Sequence, residues 1–128
     1  MNFILDNASR TILVVDDEPA ITTILDVVLS RAGYRVISST RPVEALAYSD
    51  DPRVQVDLLL TDVVMPVLDG TRFAALFRHN SPRTKVLFMT GHAARLPADA
   101  DFIAKPFHPR QVVARVHAAL GFAACASA

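Results

Sequence analysis

The chain has 128 residues, 52% hydrophobic and 20% charged, a composition that fits one globular domain and excludes a disordered segment. That length buries roughly two-thirds of the unfolded surface. Thirteen basic and thirteen acidic side chains cancel, which argues against nucleic acid or an anionic membrane as partner.

The lone cysteine, Cys125, excludes an internal disulfide and favours a reducing compartment. Phe3-Ile4-Leu5 has no basic residue before it and Asp6 after it, so no secretion signal is expected. No run approaches the ~18 apolar residues of a membrane span, and a cytoplasmic protein is the expectation. Residues 1–10 read as a loose leader, 11–121 as the folded domain and 122–128 as a tail.

Thr11 to Val15 is a β-branched and aliphatic run, the first strand, ending in Asp16-Asp17-Glu18. Pro19 suits the first turn of a helix. Ile21, Ile24, Leu25, Val28 and Leu29 then recur at the spacing of one helix face, and Gly33 ends it. Tyr34 to Ser38 is a second strand. Pro42 to Tyr48 predicts a second helix with Val43, Leu46 and Ala47 inward, broken by Asp50-Asp51-Pro52. Val56 to Thr61 is the third strand, with Asp62 at its carboxyl end. Pro66 and Asp69-Gly70 turn the chain after it. Thr71 to His79 predicts a third helix with Phe73, Leu76 and Phe77 inward.

Lys85 to Thr90 is the fourth strand and Phe102 to Ala104 the fifth. Between them lie only Gly91 to Ala100, at the lower limit of ~10–12 residues for a parallel crossover with its helix. Gly91 and Pro97 both oppose helix, so a fourth helix is expected to be shortened or missing. Pro109 opens a last helix through Leu120, buried by Val112, Val113 and Val116. Strands alternating with helices imply a doubly wound, five-stranded parallel sheet covered on both faces.

Ligands in such folds bind outside the carboxyl ends of the strands. Asp16, Asp17, Asp62, Thr90 and Lys105 all fall on that edge. Three carboxylates in close quarters need a cation. Lys105 supplies one charge, and an all-oxygen set suits Mg²⁺, or Mn²⁺, held by one or two carboxylates and water. Such an ion lets a phosphoryl group approach Asp62, while Lys105 and the Thr90 hydroxyl hold its oxygens. Attack by Asp62 on phosphorus yields an aspartyl-phosphate. His79, His92, His108 and His117 share no ligand spacing.

Four pieces together resemble the receiver domain of bacterial two-component response regulators: Val14-Val15-Asp16-Asp17-Glu18, Thr61-Asp62-Val63-Val64-Met65-Pro66 with Asp69-Gly70, Met89-Thr90-Gly91, and Lys105-Pro106-Phe107. The resemblance spans about Thr11 to Leu120. It implies a flavodoxin-like (βα)5 sandwich in which Asp62 is the phospho-acceptor, Asp17 a direct Mg²⁺ ligand and Asp16 a ligand mainly through water. It further implies that the Val64 carbonyl is a metal ligand and that Thr90 moves to bond the phosphoryl group, with Lys105 pairing to it. Phe102 matches the switch aromatic, and the Lys105–Pro106 bond is expected to be cis. Without the tyrosine hydroxyl, Phe102 is expected to populate its inward state partly before phosphorylation. The implied partners are a histidine kinase or phosphotransfer protein and a downstream protein target. The module turns over no external metabolite.

Two other readings compete with this one. Asp69-Gly70-Thr71 echoes an aspartate-dependent phosphatase signature, but the nucleophilic position two residues earlier holds Val67. A phosphorylation-independent interaction module of the same fold is disfavoured by the full set of charged site residues. Val64 and His92 flank the path of water to an acyl phosphate and are expected to tune its lifetime. Loss of the fourth helix removes contact area from the family's usual dimer face, so a phosphorylation-driven dimer of that kind is not expected.

Overall fold

The computed structural model describes residues 10–91 and 95–121. In chain order it places β1 at Thr11–Val15, α1 at Pro19–Arg31, β2 at Arg35–Ser39, α2 at Pro42–Ala45 and β3 at Leu58–Asp62. There follow α3 at Gly70–Asn80, β4 at Lys85–Thr90, β5 at Phe102–Ala104 and α4 at Pro109–Ala119. The sheet order is β2-β1-β3-β4-β5, with every pair parallel. The winding reverses between β1 and β3, so the crevice for a ligand opens at the carboxyl ends of those two strands.

The period of two in the strands divides the core in half. Ile12, Val14, Leu58, Leu60, Leu87, Met89 and Ile103 face one way and meet Leu25 and Leu29 of α1 and Val112 and Val116 of α4. Leu13, Val15, Leu59 and Phe88 face the other way and meet Ala45, Phe73, Ala74 and Phe77. Burial on both sides explains why the strands are continuous apolar runs without polar alternation. Proline stands in the first turn of α1, α2 and α4, where its missing N–H costs nothing. Asp69 caps α3, its side chain accepting from the Thr71 N–H at 2.8 Å.

Some positions differ from the sequence expectation. Ile24 is 42% and Leu76 41% exposed. Each stands one residue before the true core contact, Leu25 or Phe77, so it lies about 100° round the helix from it. Val43 is 58% exposed, because the single α-turn of α2 buries Pro42 and Ala45 instead. The chain then tightens into a 3₁₀ turn over Leu46–Asp50, which buries Ser49 and leaves Ala47 exposed.

Among the described residues no α-helix joins β4 to β5. Residues 92–94, and with them His92, lie outside the described residues, as do 1–9 and 122–128. A turn closed by Ala100 N–H donating to the Pro97 carbonyl at 3.0 Å leads into β5. Leu96, Ala100 and Phe102 pack against the cluster that holds Phe73 and Phe88.

Candidate functional site

The polar residues of the crevice are built on strand ends. Asp16 directly follows β1 and is 0% exposed. Its Oδ1 accepts from the Glu18 N–H at 2.9 Å, and its Oδ2 from Lys105 Nζ at 3.0 Å. Asp62 is the last residue of β3 and is 7% exposed. Its Oδ1 accepts from the Val63 N–H at 2.8 Å, and its Oδ2 lies 3.4 Å from Lys105 Nζ. One ammonium therefore bridges two buried carboxylates that belong to neighbouring strands.

The electrostatics follow from that arrangement. Burial, and then the charge of Asp16, raise the pKa of Asp62; Lys105 and the Val63 N–H offset only part of the rise. For Lys105 burial favours the neutral amine. The hydrogen bond to Asp16 and the charges of Asp16 and Asp62 outweigh burial, and its pKa is raised overall. Lys105 thus stays an ammonium.

Asp17 completes the acidic group and is its most exposed member. One carboxylate oxygen from each of Asp16, Asp17 and Asp62 lies within 4.8 Å of the others. With all three ionised, the lone ammonium leaves two negative charges uncompensated. The donors are all hard oxygens, so the set fits a divalent cation of the Mg²⁺ kind. Val64 follows two residues after the end of β3, and among the described residues no backbone donor bonds its carbonyl.

Thr90 is 2% exposed at the end of β4, the strand beside β3. Its carbonyl accepts from the Lys105 N–H at 2.9 Å, which ties the lysine backbone to β4. The Lys105–Pro106 peptide is cis. Phe102 is half-buried on the side of the sheet that carries α3. The structure thus gathers Asp16, Asp62 and Lys105 within ion-pair distance, brings an Asp17 oxygen within 4.8 Å of the other two carboxylates, sets Thr90 on the adjoining strand end and places Phe102 three residues before Lys105 on β5.

Gly70, His108 and Gln111 have structural roles beyond those read from the sequence, where Gly70 was a turn residue and His108 an isolated histidine. Gly70 opens α3 against the end of β3, its N–H donating to the Val63 carbonyl at 2.7 Å. A Cβ there would stand 1.9 Å from the Asp62 carbonyl oxygen, so only glycine admits this approach. His108 caps α4: its side chain accepts from the Arg110 N–H at 3.1 Å while Gln111 Oε1 accepts from the His108 N–H at 2.7 Å. The glutamine three residues after the cap was a readable capping-box signal, masked by a histidine where serine or threonine is usual.

The family model of the response regulator receiver domain matches residues 12–117. The chain is 38% identical over 120 residues to the alkaline phosphatase synthesis transcriptional regulatory protein PhoP of Bacillus subtilis (strain 168), covering 88% of this chain and 49% of that protein. It is 35% identical over 111 residues to the response regulator receiver protein CpdR of Brucella abortus (strain 2308), covering 81% of this chain and 91% of that one. Among solved structures, the receiver domain of the hybrid histidine kinase CckA superposes with a TM-score of 0.76 at 29% identity, covering 86% of this chain and 98% of that domain. The chain therefore spans about half the length of the first relative and most of the second. No helix among the described residues is long and apolar enough to cross a membrane.

Proposed function

This chain belongs to the response regulator receiver domain family, a family of signalling domains, and on that premise we propose that Asp62 accepts a phosphoryl group from a phosphohistidine with Mg²⁺ bound. The observation that supports this most directly is Lys105 Nζ, 3.0 Å from Asp16 and 3.4 Å from Asp62, beside the third carboxylate of Asp17.

A carboxylate oxygen of Asp62 attacks phosphorus. The O–P bond forms as the P–N bond to the donor imidazole breaks, and that nitrogen keeps the electron pair and takes up a proton from water. Asp16, Asp17, Asp62 and the Val64 carbonyl would hold the Mg²⁺, which when bound supplies positive charge against the incoming phosphoryl oxygens. Lys105 and the Thr90 hydroxyl hold those oxygens in turn. Water attacking the acyl phosphate releases inorganic phosphate and restores the carboxylate, with Val64 and His92 setting the rate.

The new anion draws Thr90 toward Asp62 and lets Phe102 settle further inward, a two-state element biased by charge. Its half-buried packing against the Phe73 and Phe88 cluster supports an inward state present before phosphorylation. The donor is a histidine kinase or phosphotransfer protein, and the output is a changed surface read by another protein in the cytoplasm. The folded unit is residues 11–121. With so short a link between β4 and β5, the phosphorylated chain does not form the family's usual dimer.

Acetyl phosphate with Mg²⁺ should add one phosphate to the intact mass, lost in Asp62→Asn and lost without the ion. Unchanged labelling of Asp62→Asn would refute the assignment.

A further inference from the structure

The loop after Asp62 carries an oddity that phosphate chemistry does not use. Val67 has φ +72° and is 94% exposed. The Leu68 N–H donates to the Pro66 carbonyl across it at 2.8 Å, so Val67 is the central residue of a γ-turn of the rare, strained sign. A β-branched residue is the worst choice for that conformation, and water is the worst surrounding for its side chain. Strain held at an exposed apolar residue beside a reactive group points to function.

Val67 does not stand alone. With Pro66 it forms one wall of an open groove of about 350 Å³, whose other wall is Pro42 and Val43 at the start of α2. Val43 is itself 58% exposed. The groove opens onto Asp17, whose carboxylate lies within 4.8 Å of those of Asp16 and Asp62. Arg41 and Glu44 at its edge pair with each other at 2.9 Å, so its remaining charge is Asp17 at the crevice end, and the walls of Pro42, Val43, Pro66 and Val67 ask for an apolar occupant.

We propose that this groove seats an apolar side chain of the phosphodonor protein, next to that protein's phosphohistidine, and that Val43 and Val67 thereby select the donor. The inference rests on the reading of Asp62 as phospho-acceptor. Its ground is continuity. An imidazole on a folded donor can reach Asp62 only if the helix or loop that carries it covers the rim of the crevice. A helix is about 10–12 Å across with its side chains, wide enough to overlie both Asp62 and a groove that begins at Asp17. A small donor covers none of that surface and is indifferent to it.

Val43→Ser and Val67→Asn test the proposal, singly and together. Asparagine tolerates a positive φ, so the turn survives while the apolar surface goes. Transfer is timed from a panel of autophosphorylated histidine kinases of the same organism, alongside labelling by acetyl phosphate. The fastest kinase should label the double variant at least tenfold more slowly than the parent chain, with acetyl phosphate labelling within twofold. Kinase transfer within twofold of the parent, or an equal loss with both donors, would overturn the proposal, as would a parent chain labelled by acetyl phosphate and by no kinase. A change of oligomeric state by light scattering with kinase transfer intact would assign the groove to a second copy and overturn it too. A parent chain labelled by no donor at all refutes the underlying reading instead.

Discussion

Replacing Val67 by glycine should stabilise the protein. Val67 is 94% exposed, so deleting its side chain forfeits almost no burial. Its φ of +72° costs an L-residue about 1–2 kcal/mol, and a second branch at Cβ puts valine at the upper end. Glycine removes that cost but gives the unfolded chain more freedom, worth about 0.4–1 kcal/mol against it. The balance is a gain of about 1 kcal/mol, or about 4 °C in Tm for a domain of this size. Urea unfolding followed by circular dichroism reads it as a higher midpoint at constant m. Val67→Ala is the control, because it removes the branch but keeps the Cβ that clashes. It should recover less than half of the gain. A glycine variant no more stable than the alanine one, or less stable than the parent, would refute the conformational argument and with it the strain at this turn.

Three further outcomes follow from the site and the core. Asp62 has a raised pKa, so the folded state holds its proton more tightly than the unfolded state, and ionisation costs stability as pH rises through the folded value. Asp62→Asn should therefore be more stable than the parent at neutral pH without Mg²⁺. Added Mg²⁺ at ten times its Kd should stabilise the parent alone by about 1.4 kcal/mol, visible as a Tm rise absent from the variant. Gly70→Ala puts a Cβ 1.9 Å from the Asp62 carbonyl oxygen; an overpacking loss of about 1–3 kcal/mol should lower the urea midpoint, together with slower acetyl phosphate labelling. Burial lowers the pKa of His117, whose Nδ1 hydrogen-bonds the Tyr34 hydroxyl. The unfolded state then takes the proton first, so stability should fall as pH drops from about 6.5. His117→Gln should flatten that limb relative to the parent.

The residues show what was legible and what was not. The strand ends were readable because a buried parallel strand must be an apolar run and must stop where charge begins, as at Val15-Asp16 and Thr61-Asp62. Helix starts were readable from Pro19, Pro42 and Pro109, whose rings fit the first turn alone. The helix faces were read too broadly. Periodicity cannot tell Leu25 from Ile24 or Phe77 from Leu76, because the width of the buried stripe depends on how closely the sheet approaches. The 3₁₀ turn after Ala45 had no local signal, and it shifted the inward phase from Ala47 to Ser49. Val67 was invisible for a different reason. Every propensity rule assigns a positive φ to glycine or asparagine, so a valine there can be found only in three dimensions.

Net charge says least about the site, because a sum over the chain discards position. Up to Asp62 the chain carries five basic and ten acidic side chains; after it, eight basic and three acidic. Asp62 ends the central strand and marks the boundary. The acidic half folds as β1, α1, β2, α2 and β3, and the basic half as α3, β4, β5 and α4. Arg72, Arg78, Lys85, Arg95 and Arg110 of the basic half are exposed. A phosphoryl group adds roughly −1.5 to −2 charges near neutral pH. At the boundary it repels Asp16 and Asp17 unless a cation lies between, and it attracts Lys105. Screening confines direct attraction to about 8 Å at physiological salt, so Lys105 feels it first, and through the 2.9 Å bond from its N–H to the Thr90 carbonyl the pull reaches the end of β4. A bound divalent cation would neutralise the three carboxylates and leave them little reason to move. Displacement is therefore expected on the β4–β5 side, where Lys105 and Thr90 are joined and the link is short.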